Sequence, residues 1–158
     1  MPPPIAYLLT WTTHATWLHG DERGSIDRHH NRLGTPTAPP ELARARIESS
    51  RAIGPAFTLD GDARGIVDAV IRRHSEVRGW LLPACNVRTN HVHVVVGNCA
   101  DHAPEDVMSQ FKAWSTRRLR EAGFASPDAR VWTEHGSTRW INEQDSLARA
   151  IDYVLNRQ

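Results

Sequence analysis

The pattern of apolar residues along the chain predicts four β-strands. Residues 5–13 are rich in aromatic and β-branched side chains and predict a first strand at the centre of a sheet. Two extended runs, 80–87 and 91–97, are separated by a short polar segment, a spacing that predicts a hairpin. Residues 137–141 predict the last strand. Because Pro83 has no N–H to donate, we expect it at a sheet edge or a bulge.

Apolar residues spaced three and four positions apart predict helices in the remaining segments. These helices cover residues 40–53, 62–78, 104–123 and 145–157. Residues 17–40 carry several glycines and prolines and few apolar side chains, which predicts an irregular insertion. The order β-α-β-β-α-β-α of the main elements matches a ferredoxin-like α+β sandwich with an added C-terminal helix. We therefore predict a single domain over residues 1–158.

Composition is compatible with this fold. The 158 residues are 40% hydrophobic and 23% charged, which is typical of a folded soluble domain. No apolar run approaches the roughly 20 residues that span a bilayer, and the N-terminus lacks a signal-peptide layout, so we expect a cytoplasmic protein with no membrane partner. The spacing of Cys85 and Cys99 indicates reduced, structural cysteines. A net charge of +1 gives only weak support for nucleic-acid binding and leaves that function to a local basic face.

The segment Asn90–His91–Val92–His93 carries the most informative chemistry. Side chains two residues apart on a strand share a face, so His91 and His93 project together while Val92, Val94 and Val96 project to the other side. Two neutral imidazoles side by side can bind a divalent metal ion. The alternative is a pair of polar residues on the exposed face of a strand.

A tyrosine on the last predicted helix extends this pattern. Considered alone, Tyr153 fits a partly buried aromatic on an amphipathic helix. A His-hydrophobic-His strand followed by a helical tyrosine, however, resembles the HUH single-tyrosine transposases of small insertion sequences and the REP-associated tyrosine transposases. The resemblance covers most of the chain, and its further matching segments are residues 7–11, 111–115 and 131–137.

The resemblance implies a DNA transposase that cleaves and rejoins single-stranded or hairpin DNA. In this chemistry Tyr153 is the catalytic nucleophile and becomes joined to a 5′-phosphate, while His91 and His93 hold Mg²⁺ or Mn²⁺. A phenol has a pKa near 10, so it needs a nearby cation to become an effective nucleophile. A second chain is a possible partner, because relatives include homodimers as well as monomers.

Two histidines alone make a weak site for a hard cation, which prefers oxygen ligands. Relatives supply the oxygen from a glutamine four residues after the tyrosine. That position is Arg157 in this chain, and the nearest substitutes are Asn156 and Gln158. We therefore expect one of these two amides to complete the metal site, with Asn156 in the better helical phase.

The second long helix carries a basic run beside an aromatic residue. Its members are Lys112, Trp114, Arg117, Arg118 and Arg120. One interpretation is a solvated helix face whose charges complement the helix C-terminus. The other is a DNA-binding surface, in which the cations contact phosphates and the indole stacks on an unpaired base.

Two further functions remain open from the sequence. The absence of glutamine after Tyr153 favours a regulator of the same fold that binds nucleic acid and is catalytically weakened or inactive. A metal-dependent phosphoesterase would use His91 and His93 but would leave Tyr153 without a role.

Overall fold

The computed structural model describes residues 3–16 and 56–156, which form a four-stranded antiparallel sheet with three helices. In chain order the elements are β1 (Ala6–Thr12), α1 (Gly61–Arg78), β2 (Leu81–Val87), β3 (His91–Gly97), α2 (Pro104–Glu121), β4 (Ser137–Ile141) and α3 (Gln144–Asn156). The strand order is β2-β3-β1-β4. This is the order of a ferredoxin-like sandwich, so the predicted fold, with β1 in the sheet centre and a helix added at the C-terminal end, is confirmed.

The ends of the elements follow local signals in the sequence. Helix α1 starts after Asp60, whose carboxylate accepts a hydrogen bond from the backbone N–H of Ala63, and it stops at Gly79, which has a left-handed φ of 76°. Helix α2 begins with Pro104 in its first turn. The predicted insertion at 17–40 and the predicted helix at 40–53 lie outside the described residues.

The two faces of the sheet carry different cores. Val92, Val94 and Val96 point to one face, where they are fully buried against α1 and α2 in a cluster with Trp11 and Phe111. Each such valine contributes roughly 1.5–3 kcal/mol through burial of apolar surface. The opposite face bears the histidines of β3 and a smaller cluster with α3, formed by Ala6, Leu8, Ala84, Val95, Ile141, Ala150 and Val154. We call these the helix-pair face and the α3 face.

Two smaller expectations about packing can be compared with the structure. Pro83 lies in β2 at the edge of the sheet, within a register shift between Leu81 and Ala84, as its missing N–H predicts. On α3 the inward residue is Val154, and Leu155 is 51% exposed. Within residues 3–16 and 56–156, no helix is both long and apolar enough to cross a membrane.

Candidate active site

The two histidines of β3 lie side by side on the α3 face. Their ring centroids are 4.8 Å apart with an angle of 82° between the planes. The register places His93 between Thr10 of β1 and Asn86 of β2, and only 4% of His93 is exposed. Strand periodicity therefore brings the imidazoles together as the sequence predicts.

Each imidazole makes a hydrogen bond through Nδ1. His93 Nδ1 lies 2.9 Å from the hydroxyl oxygen of Thr10, and His91 Nδ1 lies 2.8 Å from the side-chain oxygen of Asn90. With Nδ1 used in this way, Nε2 is the atom through which each ring would bind a metal ion. The pair therefore fits a site that takes two nitrogen ligands from one strand.

The environment of His93 keeps its imidazole neutral. Burial first, and then the electrostatic influence of His91 and Arg88, lowers the pKa of His93 to about 3. A neutral imidazole retains the lone pair that a metal ligand needs. His93 is thus neutral throughout the physiological pH range, and its tautomer decides which ring nitrogen carries the lone pair.

Helix α3 brings Tyr153 to the same place. Ala150 and Val154 are fully buried on the α3 face, and the backbone carbonyl of Val154 accepts a 2.9 Å hydrogen bond from the Asn86 amide. These contacts place the Tyr153 ring 5.5 Å from the ring of His93, edge to face at 87°. Burial raises the pKa of the Tyr153 phenol, so it carries its proton at neutral pH. Both imidazoles and the phenol thus come from one chain.

Metal binding by His91 and His93 stays a prediction, and so does the identity of a third ligand. Asn156 is the last residue of α3, and its amide nitrogen donates to a carboxylate oxygen of Asp152 at 2.9 Å. Gln158 and Arg157 lie outside the described residues. In the described part of the chain, no group of three or more histidine, cysteine, aspartate or glutamate side chains is placed to hold a metal ion. A hard cation at the histidine pair therefore needs oxygen from a group such as the Asn156 amide or a bound phosphate.

The predicted DNA-binding residues lie on α2, which packs against the helix-pair face. Trp114 is 40% exposed, with the Arg117 guanidinium 5.2 Å from the centre of its ring. Arg117 and Arg118 both contact the carboxylate of Glu121, at 3.2 and 3.0 Å, and Arg120 donates to a backbone carbonyl. The sheet therefore separates these residues from the histidine pair.

Lys112 differs from the other basic residues of α2. Its ammonium lies within hydrogen-bonding distance of three consecutive carbonyl oxygens, those of Thr133 at 3.0 Å, Glu134 at 3.4 Å and His135 at 3.3 Å. Burial lowers the pKa of Lys112 to about 8. A lysine has three N–H donors, so these carbonyls account for all of them. DNA binding by Lys112 stays a prediction, and it requires the loss of an internal contact.

Replacing Lys112 by methionine is expected to destabilise the fold by about 2 kcal/mol, because three carbonyls lose a charged donor while most of the apolar stem of the side chain is kept. Urea unfolding measures the change. Arg118→Met on the same helix is the matched control, since the exposed pair of Arg118 with Glu121 contributes less than about 1 kcal/mol. Equal losses in the two variants would contradict the anchoring role.

Sequence reasoning missed three residues around the histidine pair. Thr10 bonds to His93, Asn90 bonds to His91, and Arg88 influences the pKa of His93. A signal existed for Thr10, because Thr10 and Thr12 alternate with the apolar residues Leu9 and Trp11, which predicts a separate face of β1 for the threonines. The register that sets Thr10 against His93 is a property of the folded sheet.

The described residues form an α+β fold with paired histidines on a central strand and a tyrosine on the last helix. Residues 56–152, more than half of the chain, match the family described as "Transposase IS200 like". The chain belongs to the IS200-like transposase family.

Two solved structures are similar to this chain at low sequence identity. One is the crystal structure, at 1.90 Å resolution, of a protein from Deinococcus radiodurans R1 assigned as a transposase; the similarity has a TM-score of 0.50 and 15% identity, and it covers 100% of this chain and 94% of that one. Another is a REP-associated tyrosine transposase bound to a REP hairpin, with a TM-score of 0.48 and 10% identity, covering 97% of this chain and 66% of that one. No curated protein matches the chain.

Proposed function

We propose that this transposase cleaves and rejoins single-stranded or hairpin DNA through a covalent bond between Tyr153 and a 5′-phosphate. The observation that carries the proposal is the 5.5 Å separation between the rings of Tyr153 and His93 within one chain. This proximity of the two rings supports an arrangement in which the phenol oxygen and a metal ion on the histidines would act on one phosphate.

The chemical step conserves one phosphodiester bond. The phenol oxygen of Tyr153 attacks the phosphorus, the bond from phosphorus to the 3′-oxygen breaks, and the phenol proton leaves while the departing 3′-oxygen gains one. A tyrosine phosphodiester replaces the DNA phosphodiester. A second 3′-hydroxyl can therefore reverse the reaction on another strand end without an external energy source.

The other residues of the site would bind the metal ion and hold the phenol in position. A divalent Mg²⁺ or Mn²⁺ ion bound by His91 and His93, with an oxygen from Asn156 or Gln158, would supply positive charge beside the scissile phosphate. Since burial raises the pKa of Tyr153, the phenol keeps its proton at neutral pH, and the cation would lower the cost of its negative charge during attack. The packing of α3 through Val154 and Asn86 holds the phenol near the histidines.

A denaturing gel tests the proposal directly. Labelled single-stranded hairpin DNA is incubated with the protein and Mg²⁺ or Mn²⁺, and we expect a labelled band at the mass of a protein-DNA adduct that EDTA prevents. Binding without an adduct would favour the alternative of an inactive DNA-binding regulator, for which the arginine at position 157 argues. Hydrolysis that leaves no adduct would indicate a phosphoesterase.

We further propose that Trp114, Arg117, Arg118 and Arg120 bind DNA away from the scissile phosphate. The sheet lies between α2 and the histidine pair, so a strand that touches both must pass around an edge of the molecule. The stacked arrangement of Arg117 over Trp114 combines a π-face for a base with a cation for a phosphate. Such a surface contributes to affinity, and the histidine pair governs the chemical step.

The variant Trp114→Ala/Arg117→Ala is expected to weaken binding of single-stranded DNA by about tenfold or more, since stacking contributes roughly 1–3 kcal/mol per base. The rate of adduct formation at saturating DNA should be unchanged. Fluorescence anisotropy measures the affinity, and its dependence on salt should weaken as one phosphate contact is lost. Arg73→Ala on α1, which removes a comparable exposed arginine paired with Glu76, is the control. Equal effects of both variants would contradict a specific surface on α2.

A further inference from the structure

The hydrogen-bond partners of the two histidines differ in one chemical respect. The side-chain oxygen of Asn90 can only accept a hydrogen bond, whereas the hydroxyl of Thr10 can accept or donate. A neutral imidazole carries one N–H, and the nitrogen without the hydrogen is the one that binds metal. The partner at Nδ1 therefore decides whether Nε2 is a ligand.

At His91 the hydrogen-bond partner fixes which ring nitrogen carries the hydrogen. The 2.8 Å contact between Nδ1 and the Asn90 oxygen requires a hydrogen on Nδ1, because the oxygen has none to offer. The lone pair of neutral His91 is then on Nε2. Asn90 precedes His91 directly in the chain, so this contact is local and does not depend on sheet register.

At His93 the hydrogen-bond partner allows the hydrogen on either ring nitrogen. The 2.9 Å contact between Nδ1 and the Thr10 hydroxyl forms in either direction. If Thr10 donates, the hydrogen of His93 moves to Nε2 and blocks metal binding. If Thr10 accepts, Nε2 is a ligand, but the hydroxyl hydrogen loses this acceptor. Thr10 is 7% exposed, and within the described residues His93 is the partner of its hydroxyl, so the accepting arrangement leaves the hydroxyl hydrogen without a protein acceptor there.

We propose that Asn90 and Thr10 are positioning residues that set the tautomers of the histidine pair, with His91 held in the Nδ1–H form and His93 exchanging between both forms. The inference rests on the proposed function, because that function requires a divalent cation at the histidine pair. When the cation binds, it selects the Nδ1–H form of His93. His91 is the preorganised ligand of the pair, and His93 becomes one as the ion binds. Asn90 therefore contributes to the affinity at all times, and Thr10 contributes when it accepts.

Nitrogen NMR of histidine-labelled protein reads the tautomers without any enzymatic activity. In metal-free protein with EDTA we expect a single Nδ1–H form for His91 and a mixture for His93. Adding Mg²⁺ should convert His93 to the Nδ1–H form and leave His91 unchanged. A His91 ring protonated on Nε2, or a His93 ring in one form that Mg²⁺ does not alter, would overturn the inference.

Variants separate the two partners. Asn90→Leu removes the acceptor at similar volume, and we expect His91 to lose its fixed tautomer and Mg²⁺ to bind about 10- to 100-fold more weakly in calorimetry. Asn90→Asp keeps the acceptor and should preserve the tautomer. Thr10→Val should weaken Mg²⁺ binding by about tenfold, and Thr10→Ser should restore it.

The matched control is Thr12→Val. Thr12 faces His91 across the sheet, but its hydroxyl bonds to that of Thr133 at 2.9 Å, so the tautomers and the affinity for Mg²⁺ should stay as in the unchanged protein. A tautomer shift in Thr12→Val as large as that in Thr10→Val would overturn the assignment to Thr10. If the tautomers behave as expected but no DNA adduct forms, the positioning roles stand and the proposed function fails. If an adduct forms and its Mg²⁺ dependence is unchanged in Asn90→Leu and Thr10→Val, the proposed function stands and the positioning roles fail.

Discussion

Replacing Tyr153 by phenylalanine should abolish the covalent protein-DNA adduct, with a decrease on the order of 10⁴-fold or more in the rate of strand cleavage. Phenylalanine keeps the aromatic ring that packs beside His93 and removes only the attacking oxygen. No other atom in the variant can form the same bond at that position. The rate is measured by quantifying labelled adduct on denaturing gels at saturating DNA and Mg²⁺.

Tyr7→Phe is the matched control for this prediction. Tyr7 is the other tyrosine of the chain, and its hydroxyl donates a 2.6 Å hydrogen bond to the carbonyl of His102, on the face of the sheet that carries α1 and α2. Its loss should leave the adduct in place. An adduct that persists in Tyr153→Phe would contradict the proposed chemistry. An adduct that disappears in Tyr7→Phe would show that its loss reflects a disturbed fold and not a missing nucleophile.

The histidine pair illustrates what local periodicity predicts. Because strand side chains alternate, the sequence 91–97 alone fixes that His91 and His93 share a face and that Val92 and Val94 share the other. The four strands, the long helices and their order were likewise predicted from apolar spacing, with ends within two residues of those observed. These features depend on neighbours in sequence, which a pattern reports directly.

Contacts between distant elements could not be predicted in this way. The packing of α3 on the sheet brings Tyr153 to His93, and only the resemblance to a family gave that pairing in advance. The register that joins Thr10 to His93 depends on how β1 aligns with β3, which no single strand encodes. The internal role of Lys112 depends on a segment more than twenty residues later, so its charge suggested a DNA contact.

Lowering the pH from 7 to 4 is expected to destabilise the metal-free protein through His93. The pKa of His93 is about 3 in the folded state and near 6.5 in the unfolded chain. Between these values the unfolded chain binds a proton that the folded protein does not, so the free energy of unfolding falls as the pH falls. The contribution of neutral His93 to the free energy of unfolding is fully present above about pH 6.5. By pH 4 we expect the free energy of unfolding to have fallen by about 3 kcal/mol.

The control separates this contribution from the carboxylates that titrate in the same range. His93→Gln cannot take up the proton, so the difference in unfolding free energy between the two proteins should narrow by about 3 kcal/mol between pH 7 and pH 4 in urea titrations with EDTA. A difference that stays constant with pH would mean that His93 takes up its proton as readily in the folded protein as in the unfolded chain, and it would contradict a lowered pKa.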